Sequence, residues 1–264
     1  MLLGSRSDFK LSSMSALRVE RAEDVYLVSL ARPERRNALD PGLISELSEA
    51  FAEVGDARAV VLAGDGESFC AGADVEWMRD SVNLTYEENV FDARRLRKML
   101  EAVYLCPAPV LARVQGHALG GGSGLVACAD IAVAAPDVAF GFTEVKLGII
   151  PAVISPFVLP KIGASAARRY FVSGERFNSE AALRIGLVHE VAEDLDGAVQ
   201  RVLNEVLTAG PSAARAAKRL VLEPPPPLET ERRTAERRTS EEGQDGLRAF
   251  LEKRKPAWRS ENSS

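Results

Sequence analysis

Four short apolar runs constrain this chain more than any other feature: VYLVSL at 25–30, VVLA at 60–63, VLARV at 110–114 and IAVAA at 131–135. Runs of this length, rich in β-branched residues and bounded by Gly, Pro or charge, read as strands. Helical patterns separate them. Asp40 stands as an N-cap with Pro41 at the first helical position. Leu43, Ile44, Leu47, Ala50, Phe51 and Val54 then recur at helical spacing. A second helix is expected over 84–103, crowded with charge (DARRLRKMLE) and ended by Pro107 and Pro109. Helical patterns also cover 125–129, 179–185 with Ser179 as the cap, 194–207, and the stretch that Pro211 opens. One more short strand starts at Leu187 and Val188. Beyond Val191 no strand signal returns, so the rest reads as helical, with a Pro run at 224–227. Strands alternating with helices make the fold class α/β.

Composition narrows the chemistry. At about 150 residues per domain, the 264 residues suggest one domain plus an appendage, or two small domains. A net charge of −5 argues against a broadly basic nucleic-acid binder. The charged stretch at 229–254 carries seven basic and seven acidic residues, so it has no net sign and reads as a solvated helix face. No apolar run approaches the ~20 residues of a membrane span, and no secretory h-region is present. Two histidines (His117, His189) and three cysteines (Cys70, Cys106, Cys128), with no CxxC, argue against a metal site, a disulfide framework or a thiol nucleophile. Together these features fit a cytoplasmic protein. Carboxylates, hydroxyls or backbone amides must then carry any reaction. Residues 1–15 (MLLGSRSDFKLSSMS) read as a disordered tail, with a transit peptide as the sharper and less favoured alternative.

Two glycine-rich segments each follow a strand and precede a helix: Ser68–Asp74 (SFCAGAD) and Gly116–Gly124 (GHALGGGSG). A helix N-terminus offers unpaired N–H groups and a positive dipole end. Two such termini side by side can put two donors on one oxygen, which is an oxyanion hole. Three consecutive glycines at a helix start cost about 1 kcal/mol each against alanine, more than a simple turn requires. Two other readings compete. Gly122–Ala127 fits G-x-G-x-x-A, with Glu144 twenty residues beyond Gly124, which mimics a dinucleotide fingerprint. The loop from Gln115 separates it from its strand, which argues against that reading. Ser123 as a nucleophile fails the G-x-S-x-G pattern, because position 125 is Leu.

Taken with RPERRNAL (32–39), FCAGADV (69–75), FTEVKLGIIPAVIS (142–155), GERFNSEAALRIGLVHEV (174–191) and FLEKRKPAW (250–258), these segments resemble the enoyl-CoA hydratase/isomerase (crotonase) superfamily over about residues 17–260. DVEWMRDS, LGIIPAVISPFVLPKIG and AARRYFVSGERF are closest to the bacterial methylglutaconyl-CoA hydratases of leucine degradation and their isohexenylglutaconyl-CoA relatives. The resemblance implies a crotonase-like spiral of ββα repeats over 16–208. It also implies a C-terminal helical region over 209–264 that drives homotrimers, often stacked as hexamers. It gives the thioester carbonyl to the N–H groups of Ala73 and Gly121. It gives coenzyme A to the backbone of Ala71 and Asp74, to Arg35 or Arg36, and to Phe250 and Lys253 of a neighbouring subunit. Coenzyme A is part of the substrate, so no separate cofactor is implied.

Two-carboxylate hydratases of this family carry one glutamate where this chain has Gly124 and a second where it keeps Glu144. Three uses of a single catalytic carboxylate follow. Glu144 can shuttle a proton between allylic carbons as a Δ3,Δ2-enoyl-CoA isomerase, manage both proton transfers of a hydration, or assist a decarboxylation. The hydratase branch that the chain resembles also has a small residue at this position, which favours hydration of 3-methylglutaconyl-CoA or a related branched enoyl-CoA. A degenerate acyl-CoA binder without turnover is the non-enzyme alternative. Trp77, Met78, Phe140 and Phe142 are candidates to line an acyl pocket, with Gly124 clearing space for a branched chain. Arg79, Arg94, Arg95, Arg97 and Lys98 are candidates to meet a distal carboxylate. His117 is read as structural.

Overall fold

The computed structural model describes residues 15–259; the proposed N-terminal tail lies almost wholly outside them. Strands β1 (Leu17–Ala22) and β2 (Val25–Leu30) form an antiparallel pair. Strands β3 (Ala59–Gly64), β4 (Val110–Val114), β6 (Ile131–Ala134) and β9 (Glu190–Val191) then add in parallel, giving a six-stranded sheet ordered β1-β2-β3-β4-β6-β9. A second sheet of three short strands runs β5 (His117–Leu119), β7 (Ala139–Gly141) and β8 (Arg176–Phe177).

The two sheets are wound by one repeating unit. Strand β4 lies in the large sheet, β5 lies in the small one, and helix α4 (Gly121–Cys128) follows. Strand β6 lies in the large sheet, β7 in the small one, and a 3-10 turn (Glu144–Leu147) leads to α5 (Ser155–Ser173). The first unit runs from β3 through Cys70, which bridges Ala118 of β5, to α2 (Val75–Ser81) and α3 (Tyr86–Tyr104). This is the ββα spiral that the sequence resemblance implied.

Parallel strands in the large sheet are covered on both faces, so they read as continuous apolar runs. Val28, Leu30, Val60, Leu62, Val110 and Ala112 join α3, α4 and helix α1 (Pro41–Ala52) in the main core. Val25, Val61, Leu111 and Val133 point the other way. There they meet Leu195, Ala198, Val199 and Leu203 of α7 (Leu195–Thr208). Local signals for α1 act as expected, with the Asp40 carboxylate accepting from the Leu43 N–H. Helix α6 (Ser179–Arg184) differs from expectation. Asn178 is its cap, through Ala181 N–H, while the Ser179 hydroxyl donates to Ala135 O.

The C-terminal charged stretch is two helices rather than one. Helix α8 (Pro211–Leu222) is followed by α9 (Pro227–Thr239) and α10 (Glu241–Leu251), with Ser240 capping α10. These helices bury little: among their residues only Ala249 is buried. Arg215 fastens them to the core through Gly55 O and Ala57 O, and Lys218 does so through Asp130. Leu220, Val221, Leu228, Leu247, Phe250 and Leu251 stay exposed. Among the described residues no helix is long and apolar enough to cross a membrane.

Candidate active site

The two glycine-rich segments lie side by side because their backbones pair. Cys70 N–H donates to His117 O at 2.9 Å, and Leu119 N–H donates to Cys70 O at 3.1 Å. Gly72 makes this approach feasible. It has φ +96°, and a Cβ there would stand 2.9 Å from Leu119 O. Leu39 completes the cradle: its N–H donates to Gly72 O, and its carbonyl accepts from Asp74 N–H. A Cβ on Gly121 would sit 2.7 Å from Leu39 Cδ1, so this one residue touches both segments, the first through its backbone and the second through its side chain.

Between these anchors, two N–H groups are left over. Among the described residues neither Ala73 N–H nor Gly121 N–H has a backbone or side-chain partner in this chain. Ala73 is exposed and Gly121 half-buried, so both are reachable from outside. Gly121 is the first residue of α4, where the dipole end reinforces the donor.

The carboxyl of Glu144 faces the same helix start. Gly120, held at φ +50°, would put a Cβ 3.3 Å from Glu144 Oε1. Glu144 Oε2 is buried with no hydrogen-bond partner. Burial raises the Glu144 pKa above the ordinary carboxylate value, against a smaller opposing effect from its own backbone N–H. A partly desolvated carboxyl, unpaired and beside two free donors, can take and return a proton while the donors hold a carbonyl oxygen.

The profile of the enoyl-CoA hydratase/isomerase family matches residues 20–261. The chain belongs to this family. An enoyl-CoA hydratase crystal structure from Shewanella pealeana is 38% identical, with a TM-score of 0.86, covering 93% of this chain and 97% of that one. The Pseudomonas aeruginosa AtuE structure is 36% identical with a TM-score of 0.89, covering 93% and 100%. The short-chain-enoyl-CoA hydratase of Clostridium acetobutylicum is 30% identical over 255 residues, which is 90% of this chain and 95% of that one.

Set against this family's pattern, Ala73, Gly121 and Glu144 come together. Arg36 is exposed, and its carbonyl accepts the Ala71 N–H at 3.0 Å. Arg35 instead pairs with Asp74 and Glu76. The N–H groups of Ala71 and Asp74 are both used inside the chain, and Asp74 O accepts from Met78 N–H, which leaves the Ala71 carbonyl for a ligand. The Asp74 side chain is the N-cap of α2 and meets Arg32 and Arg35. Burial acts to raise its pKa, but the Glu76 N–H and the two arginines win and hold it low. Phe250 is 81% exposed and Lys253 is exposed at the end of α10, which packs on α8 and α9. Trp77 and Met78 are half-buried on α2, with Trp77 Nε1 donating to Asp92 at 2.9 Å.

Three acyl-pocket candidates stand elsewhere. Phe140 and Phe142 are fully buried in an aromatic cluster with Tyr170, Phe171 and Phe177, so they pack the core. Gly124 clears no space. A Cβ there would meet Ile154 Cγ2 at 2.7 Å, and Leu100 closes the other side. Glycine at 124 is a close-packing residue between α3, α4 and α5. The basic residues of α3 do not enter a pocket within this chain either. Arg95 donates to Pro41 O, Arg97 pairs with Glu101, and Arg94 and Lys98 are exposed, as is Arg79 on α2. The dinucleotide-like run Gly122–Ala127 lies inside α4, not in a strand–helix turn.

Other supports went unnoticed in the sequence. Asn37, fully buried at φ +54°, takes Arg32 N–H on Oδ1 and gives Nδ2 to Asp65 O and Ser68 O, which fixes the first loop. Asn tolerates this backbone conformation, so its place in the RRNAL turn was the available signal. Ser123, also fully buried, donates to Ala118 O at 2.5 Å and accepts from Gly141 N–H. An open cavity of about 450 Å³ lined by Asp137, Arg169, Arg176 and Arg184 contains none of Ala73, Gly121 or Glu144, and the chemistry of those three outweighs its concavity.

Proposed function

We propose that this chain adds water to the double bond of a 2-enoyl-CoA thioester. The observation that carries the reading is the partnerless, buried Glu144 Oε2 beside the free Ala73 and Gly121 N–H groups. The thioester oxygen sits on the two N–H groups. The Glu144 carboxylate takes a proton from water, and the resulting hydroxide adds to the β-carbon. The π electrons move onto the thioester oxygen as an enolate, which the two donors stabilise. Each donor of this kind is worth about 3 kcal/mol. The enolate then collapses, and the protonated Glu144 delivers its proton to the α-carbon. One carboxyl therefore serves as base and then as acid, and both bonds form on one face.

Within this class we favour 3-methylglutaconyl-CoA or a similar branched substrate, on the motif resemblance over 74–81 and 147–177. Exposed Arg36 supports a role at the coenzyme A phosphates. The exposed Phe250 and Lys253 support a trimer or a hexamer in which α10 completes a neighbour's coenzyme A pocket. Three free, buried cysteines suit a cytoplasmic enzyme. A second reading has one observation behind it. The space at Gly124 is filled by Ile154, so no second carboxylate faces Glu144 from α4, and a Δ3,Δ2-enoyl-CoA isomerase needs none. Crotonyl-CoA, a 3-enoyl-CoA and 3-methylglutaconyl-CoA, each assayed with wild type and Glu144→Gln, separate the two. Inert 3-methylglutaconyl-CoA and crotonyl-CoA with rapid 3-enoyl-CoA turnover overturn hydration, and inert 3-methylglutaconyl-CoA with active crotonyl-CoA overturns the favoured substrate alone.

A further inference from the structure

Helix α4 is poorly suited to hold its own position. It has eight residues, three of them glycine, and no side-chain N-cap. Its N-terminal N–H has to stand at a fixed place, so the other contacts of the helix must set that place. Gly122 presses on Cys70 O, Gly124 on Ile154, and Ser123 bonds to β5 and β7. These contacts fix the helix sideways. The C-terminal end needs its own anchor, because the last carbonyls of a helix lack internal partners.

A single lysine supplies it. Lys161 of α5, half-buried, donates its Nζ to Val126 O at 3.4 Å, beside the Ala129 N–H that this carbonyl also accepts, and to the carbonyl of Ala129, the C-cap of α4. It thereby brings a cation to the negative end of the helix whose positive end is the candidate oxyanion hole. The site lies beside a break in α5, where Gly163 leaves helical geometry (φ +72°, ψ 162°) and Pro160 interrupts the hydrogen-bond ladder. That break lets Lys161 turn toward α4 rather than along its own helix.

We propose that Lys161 is a positioning residue for the reaction: by tying down the C-terminal carbonyls of α4, it sets the axial position of Gly121 N–H. The proposal rests on the oxyanion-hole reading of Ala73 and Gly121. Lys161 does not touch the reacting atoms. It acts through the length of one short helix. Its charged and titratable neighbours are Cys128 of α4, Asp130 beyond it, Lys218 of α8 and His189 before β9. Burial lowers the Lys161 pKa to about 8, so the ammonium starts to lose its proton near that pH. Cys128 is pushed far up by burial and stays a neutral thiol through this range. Lys218 provides a built-in comparison. Its side chain lies at the same end of the helix, 7% exposed, but it bonds Asp130 and Ala108 O instead of α4.

The test uses dimethylaminocinnamoyl-CoA, a push–pull thioester whose absorption moves to the red when its carbonyl is polarised. A displacement of the donor by 1 Å is worth up to about 100-fold in rate. Lys161→Met is therefore expected to lose most of the red shift and 10- to 100-fold in kcat, on the order of that displacement, while binding the probe within about threefold of wild type. Lys161→Arg, which keeps a permanent charge, is expected to restore both. Lys218→Met is expected to lower Tm while leaving the red shift intact. A full red shift in Lys161→Met, or equal losses in Lys161→Met and Lys218→Met, overturns the proposal. If Lys161→Met does not fold, the pH profile of wild type against Lys161→Arg decides. The wild-type red shift falls between pH 7 and 9.5 while that of Lys161→Arg stays level, and a level wild-type curve overturns the proposal. No red shift in wild type at any pH refutes the oxyanion hole itself, and Lys161's role with it.

Discussion

Gly124→Ala tests why this chain lacks a second carboxylate on α4. The added Cβ would stand 2.7 Å from Ile154 Cγ2 and 3.2 Å from Ile154 Cβ, with Leu100 Cδ2 at 3.7 Å. Ile154 is only 2% exposed and β-branched, so it cannot rotate cheaply out of the way. Alanine gains about 1 kcal/mol of helix propensity over glycine. Overpacking of this kind costs about 1–3 kcal/mol. The net expectation is a destabilisation of about 1 kcal/mol. Ile154→Ala alone is expected to cost about 3 kcal/mol through its cavity. In the double variant the new methyl enters that cavity and keeps its helix gain, so the total is about 2 kcal/mol instead of 4. Urea unfolding of the four proteins, read as shifts in midpoint at constant m, measures the coupling. Additivity within about 0.5 kcal/mol would show that Gly124 and Ile154 do not meet, and would return Gly124 to the acyl pocket.

Further outcomes are expected elsewhere in the site. Glu144 has a folded pKa raised above its unfolded value, so ionising it weakens the fold as pH rises through that window. Glu144→Gln is therefore expected to match wild-type Tm below about pH 4 and to exceed it at pH 7; a lower Tm at pH 7 would sink this reading. Arg36→Ala is expected to raise KM for acyl-CoA by about 5- to 10-fold, as loss of one charged contact worth about 1 kcal/mol does, with kcat unchanged. The same variant with an acyl-pantetheine lacking the nucleotide should show no change, and a change there would refute the phosphate contact. Ser123→Ala removes the hydroxyl that joins Ala118 O to Gly141 and is expected to cost about 1–2 kcal/mol in urea unfolding. A neutral result would mean that water replaces the hydroxyl.

The sequence carried the four inner strands of the large sheet and most flanking helices, because both rest on local patterns, but it missed β1 and α5 and began the last strand at Leu187 rather than Glu190. VYLVSL and VLARV match β2 and β4 residue for residue. Asp40 and Pro41 mark the start of α1 correctly, because a cap is a local hydrogen bond. The small sheet was invisible. Its strands are two or three residues long and exist only by pairing with distant segments. The start of α4 was placed at Leu125 rather than Gly121, because propensity argues against a Gly-Gly-Ser-Gly helix that tertiary packing enforces. Ser240 splits the C-terminal helix by taking Gly243 N–H as a cap, a signal hidden within a charge-rich run. At the site, Ala73, Gly121 and Glu144 were identified from motifs. Motifs could not tell that Ile154 seals Gly124, or that Phe140 and Phe142 turn inward. Those facts depend on which side chains from remote helices arrive at the same place.

In the proposed reaction one carboxyl, helped by two backbone donors, carries the whole hydration. The most direct measurement is single-turnover hydration of a 2-enoyl-CoA by wild type and Glu144→Gln, with calorimetric binding of the saturated acyl-CoA to each. A general acid–base group is worth about 10²–10⁴-fold. Glu144→Gln is expected to lose at least that factor while its Kd stays within about twofold of wild type. A Glu144→Gln enzyme that hydrates within tenfold of wild type would contradict the proposed reaction.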